Sequence, residues 1–123
     1  MVSPYTHYLD AIEDALSSSA ILDHRPTGHG ELYGTVGALE IISTRLAYIL
    51  ETVRQEYVRL PSQGQELEVS RPNVSADPAE LCGAAAESLR IAVQNLENIV
   101  VPALVQAQAA CGSFTTREAR PHE

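Results

Sequence analysis

At 123 residues the chain has the length of one domain, large enough for a core but too short to split into two. Its content of 45% hydrophobic and 20% charged residues is ordinary for a folded protein and excludes wholesale disorder. Sixteen carboxylates stand against eight arginines, with no lysine, for a formal charge of -8. Most of that surface repels nucleic acid and acidic membranes, which are held by clustered Lys and Arg displacing counterions. A basic protein partner, or acidity that serves only solubility, fits the charge.

Ser3-Pro4 is a helix start: serine caps free N–H groups, and proline at the first helical position sacrifices no hydrogen bond. Tyr5, Leu9, Ile12 and Leu16 then form a narrow apolar stripe, so a first helix is expected over 4–21, weakening through Ser17, Ser18 and Ser19. Asp10, Glu13 and Asp14 sit on its other faces, where carboxylates in the first turns favour the helix dipole as readily as they would hold a metal.

Residues 23–30, reading DHRPTGHG, form a turn punctuated by Pro26, Gly28 and Gly30. His24 and His29, with Glu31 just beyond, supply metal-type donors. The spacing H-x4-H, however, matches no closed zinc pattern that also provides a third and a fourth ligand, so no metal is assigned.

A second helix is expected over 31–60, ending at Pro61. Leu39, Ile42, Leu46, Leu50, Val53, Tyr57 and Leu60 step by three or four residues and hold one stripe of it at ~3.6 residues per turn. Ile41 and Tyr48 stack on the opposite, polar face and point to a second contact surface. Gly34 and Gly37 cost helix propensity and mark possible close approach of another backbone.

The polar stretch 61–76 has two prolines, one glycine and no helical period, and reads as a flexible connection. Asp77-Pro78-Ala79-Glu80 then has the form of a capping box with proline at the first helical position, opening a third helix over 78–111. Its inward stripe is expected to be Ala85, Leu89, Ala92, Leu96, Ile99, Ala103, Ala107 and Ala110, with Val93, Val100 and Leu104 widening the face. Alanine at so many positions admits a neighbouring helix closely. Pro102 removes one backbone bond and predicts a kink near Asn98. Ile91, Val101 and Val105 repeat the outer-face pattern of Ile41 and Tyr48. Residues 113–123 have no pattern and read as a disordered tail. Cys82 and Cys111, 29 residues apart on one helix, are separated by ~44 Å and predict no intramolecular disulfide.

The expected fold is therefore all-α: one domain, 1–112, in which two long helices form an antiparallel hairpin beside a shorter first helix. The short helix covers only about half of the groove, so a two-fold dimer is expected to complete the bundle, with Ile41, Tyr48, Ile91, Val101 and Val105 at the interface. The signal-less, acidic helical hairpin is loosely similar to proteins exported as helical dimers by specialised bacterial secretion systems, without their W-x-G turn. The lysine-free, alanine- and arginine-using composition looks like that of a high-GC bacterial or phage source.

Chemistry-bearing motifs are scarce: there is no G-x-S-x-G, no phosphate loop with lysine and no H-E-x-x-H. His7 lies one turn before Asp10, and Arg117 and His122 are spaced R-x4-H in the unpatterned tail; neither pair has a nucleophile beside it. The leading expectation is a non-enzymatic adaptor, regulator or accessory protein with no cofactor. It would work in the cytoplasm by binding itself and another protein, possibly basic, and not nucleic acid or membrane. Two rivals are a small metal-binding enzyme or hydrolase using His7, His24, His29 and nearby carboxylates, and an acidic mimic of nucleic acid.

Overall fold

The computed structural model describes residues 3–18, 21, 23–62 and 77–113, and every regular element among them is helical. The elements are α1 (Pro4–Leu16), α2 (His29–Arg59), α3 (Pro78–Asn95) and α4 (Val101–Gly112). A 3-10 turn, Leu60–Ser62, closes α2, and a π-turn, Leu96–Val100, joins α3 to α4. The connection expected at 63–76 and the tail expected from 114 lie outside the described residues, as do Arg117 and His122. No helix among the described residues is long and apolar enough to cross a membrane.

Helix α1 begins as its sequence demands. Ser3 is extended, its hydroxyl accepts from the Thr6 N–H at 3.2 Å, and Pro4 opens the first turn. The helix ends at Leu16, earlier than expected, with the Ser17 N–H donating to Glu13 O at 2.9 Å. A 13-residue helix is marginal on its own, so its cap matters. Ser3→Ala is expected to weaken α1 by about 1 kcal/mol. Faster amide exchange confined to residues 4–16, with α2 unchanged, is the result that checks it.

Helix α2 starts at His29, two residues before the expected position, because Gly28 takes φ 78° and turns the chain into it. Thr35, Thr44 and Thr52 each donate a hydroxyl to the carbonyl one turn back, at 2.7, 3.0 and 3.1 Å, which satisfies these groups within the helix. The capping box at α3 forms only in part. Asp77 has cap geometry and Leu81 N donates to its carbonyl at 3.1 Å, but the Asp77 side chain makes no cap bond. An exposed carboxylate is already well hydrated and gains little from that contact.

Helices α2, α3 and α4 pack against one another around a thin core in which Gly37, Ala47, Cys82, Ala86 and Val93 are buried. Among the described residues no large side chain is fully buried. On α2 the seam runs through Val36, Glu40, Ser43, Ala47, Leu50 and Arg54, all buried or half-buried. This is not the stripe expected from the sequence. Leu39, Ile42, Leu46 and Tyr57 are exposed, while Leu50, Val53 and Leu60 are half-buried. The seam includes Ser43 and Ala47, with Gly37 buried beside it, and the bulky stripe is left to one side. Gly37 illustrates the tightness: a Cβ at that position would run into the amide end of Gln108. Gly34, by contrast, faces open space.

The third helical stretch runs from Pro78 to Gly112 and is interrupted just before Pro102, where the sequence places a disturbance. The Pro102 ring lacks the N–H that would bond the Asn98 carbonyl, and the helix widens into the π-turn just before it. That turn takes up one extra residue and shifts the phase of all that follows. Before it, Ala85, Leu89, Ala92 and Leu96 are half-buried beside the buried Cys82, Ala86 and Val93, close to expectation. After it, Val101, Leu104, Gln108 and Cys111 are half-buried, and the expected Ile99, Ala103, Ala107 and Ala110 are exposed. Cys82 and Cys111 are both free thiols.

Candidate interaction surface

Helix α1 lies beside the C-terminal half of α2, at a distance. No Cα of α1 comes within 8 Å of a Cα in another described element. Side chains fill the gap incompletely. Tyr5 borders a cleft of about 230 Å³ with Thr52, Val53, Glu56, Tyr57 and Leu60. It also borders a second, of about 330 Å³, with Pro4, Tyr8, Leu9, Ile12 and Ile49. Val53, Tyr57 and Leu60 of the bulky stripe, with Ile49 beside it, thus share clefts with α1.

Of the residues expected at an interface, Tyr48 is 73% exposed, and Ile41, Ile91 and Val105 are exposed as well. Val101 is half-buried, because the π-turn brings it round toward the seam. Leu39, Ile42, Leu46 and Ile99, the last 62% exposed, were assigned to the interior by the sequence pattern and instead form exposed apolar surface. Their signal was present as periodicity. What periodicity cannot supply is which of two adjacent stripes a neighbouring helix selects.

The charged groups are paired locally. Arg54 Nε donates to Glu51 at 2.8 Å and Arg90 Nε to Glu87 at 2.8 Å, each one turn along its own helix. These bonds hold both carboxyls below, and both guanidiniums above, their ordinary ranges. Arg54, Arg90, Val93, Gln94, Glu51 and Glu97 line one cleft where α2 meets α3.

The histidine-bearing turn makes a clasp. His24 Nε2 lies 2.7 Å from Glu31 Oε1, and the Thr27 N–H donates to Glu31 Oε2 at 3.3 Å. His29 packs its ring against Tyr33 with centroids 6.0 Å apart. Glu31 is thus engaged with His24 and the turn backbone. Among the described residues no group of three or more His, Cys, Asp or Glu is arranged to hold a metal ion. His7 contacts Tyr8 edge-on.

The His24 bond, followed by the Thr27 amide, lowers the Glu31 pKa from the ordinary carboxylate value. A carboxyl whose folded pKa is depressed contributes stability above its unfolded pKa and loses it as pH falls through the folded one. Acidification through and below the ordinary carboxylate range is therefore expected to release the clasp. Amide exchange at Thr27 should rise over that range in the natural chain, and in Glu31→Gln it should be fast at neutral pH already.

Comparison with known proteins finds no matching family model, no similar curated protein and no similar solved structure.

Proposed function

We propose that this chain is a non-enzymatic helical protein that acts by binding protein, as an adaptor, regulator or accessory factor, and that self-association into a dimer is part of that role. One observation carries the reading: among the described residues, bulky apolar side chains lie exposed along α2 and the π-turn while those buried are small or medium. Exposed apolar surface of that extent is costly in water and is a mark of interaction sites.

The architecture behind the reading is an antiparallel hairpin of α2 against α3 and α4. Its support is pairwise. A Cβ on Gly112 would lie 3.5 Å from the Tyr33 ring, Gly37 abuts Gln108, and Arg54 shares a cleft with Arg90. Numbers rise along one side as they fall along the other. The net charge of -8 favours a basic partner, since complementary potentials speed encounter and exclude wrong partners.

Light scattering at micromolar concentration tests the self-association, with twice the 13.3 kDa chain mass expected and a 13.3 kDa particle defeating it. Capture from native cells at low and high salt tests the second partner. A partner lost at high salt binds through the acidic surface, and one retained binds through the apolar faces. Stoichiometric metal on the purified protein would favour a catalytic role instead.

A further inference from the structure

We infer that α1 is a releasable strap. It occupies the Ile49–Leu60 face of α2 in the closed molecule and lifts off as a unit, losing its helix as it goes and baring a face that accepts an amphipathic helix. The inference rests on the protein-binding reading above for its purpose and does not depend on the dimer. Tyr5, Leu9 and Ile12 of α1 border the two clefts that Ile49, Val53, Tyr57 and Leu60 line from the other side. Packed helices stand about 8–10 Å apart axis to axis, yet α1 brings no Cα within 8 Å of one in another described element. Every residue of α1 is exposed, and the clefts that share Tyr5 enclose about 230 and 330 Å³. Gaps of that kind forfeit the dispersion contacts that a packed helix gains. The polar side chains along this part of α2 are engaged within α2 itself: Thr52 with the Tyr48 carbonyl, Arg54 and Gln55 with Glu51, and Arg59 with Glu56. The hold on α1 is therefore apolar and shallow.

The helix is also weak in itself. Because it ends at Leu16, Glu13 and Asp14 stand in its last turn, where negative charge opposes the helix dipole and no basic residue offsets them. A helix of 13 residues so arranged keeps its shape by lying on α2. The turn beyond it is fastened separately, through His24 and the Thr27 amide to Glu31. Release of α1 thus leaves residues 24–31 in place, and it leaves the seam of α2 with α3 and α4 intact, since α1 contributes no buried residue. What fits the bared face is set by what lies on it in the closed molecule: a helix with bulky apolar residues in steps of three and four, as Tyr5, Leu9, Ile12 and Leu16.

The experiment follows amide exchange, and binding of a fluorescent synthetic peptide of residues 3–18, in three full-length chains. These are the natural chain, Leu9→Glu combined with Ile12→Glu, and that variant with Tyr57→Glu added. In the natural chain the amides of α1 are expected to exchange together, at least about tenfold faster than those from Ile49 to Tyr57. The first variant is expected to lose protection in α1, to keep it in α2, α3 and α4, and to bind the peptide at least about tenfold more tightly than the natural chain. Adding Tyr57→Glu should cancel that gain. Peptide binding no tighter in the first variant than in the natural chain overturns the inference, as does a gain that Tyr57→Glu leaves intact. Loss of protection in α2, α3 and α4 along with α1 also overturns it, because α1 would then be part of the core. A natural dimer that the first variant dissociates, seen by light scattering, would place α1 on a second copy and defeat the strap within one chain. All of these results are read on the chain and a peptide of its own sequence, so they stand whether or not a foreign partner is captured.

Discussion

Ala47→Leu is expected to cost about 2–3 kcal/mol and to lower the unfolding midpoint by roughly 10 °C. Ala47 is 2% exposed at the middle of the seam, between Ser43 and Leu50 on the same face of α2. Ala47 is small and almost wholly enclosed, so three added heavy atoms have no space to enter without pushing the helices apart. That separation would also loosen Ala86 and Val93, which are buried among the same helices. Ala38→Leu makes the same chemical change at an exposed position of α2 and should alter stability by no more than about 0.5 kcal/mol. Thermal melts followed by circular dichroism compare the two, and equal midpoints would mean that the helices are not held by this seam.

The second large effect concerns the phase of α4. The π-turn Leu96–Val100 already holds one residue more than an α-helical turn, which is why Val101, Leu104, Gln108 and Cys111 face inward after it. Deleting Asn98 should convert the turn to ordinary α-helix and leave both seams aligned, with a midpoint within a few degrees of the natural chain. Inserting an alanine after Asn98 should do the opposite. A second extra residue rotates α4 by about 100°, turning Leu104 and Gln108 away from α2. The packing between α2 and α4 would then be lost, and a drop of more than about 10 °C is expected, with exposed apolar surface reported by dye binding. If insertion and deletion are tolerated equally, the π-turn does not set the register.

These two results bear on function because the seam and the phase shift together determine which apolar side chains are left outside. Had the bulky stripe of α2 faced α3 and α4, Leu39, Ile42 and Leu46 would be core and the molecule would have far less to offer a partner. Had α3 and α4 been one regular helix, the line through the buried Cys82, Ala86 and Val93 would have passed on to Val100 rather than to Val101. The apolar side chains left outside on α2 thus follow from which of its faces forms the seam.

The sequence by itself determined the helices and the starts of the first and third, while the end of α1 and the start of α2 fell elsewhere than expected. Three-and-four spacing of apolar residues, Ser3-Pro4, Asp77-Pro78 and Gly28 act within a turn or two of where they stand, so they are readable without knowledge of the fold. The π-turn was half legible: Pro102 announced a disturbance near Asn98, but whether a helix answers by bending or by widening depends on what it packs against. The choice between neighbouring stripes belonged to the tertiary structure alone. Two stripes run along α2: the bulky apolar one, and a mixed one in which Ser43 and Ala47 alternate with Val36, Glu40, Leu50 and Arg54. Small residues such as Gly37, which the Gln108 side chain covers, offer room that becomes an advantage only once a second helix is present to fill it.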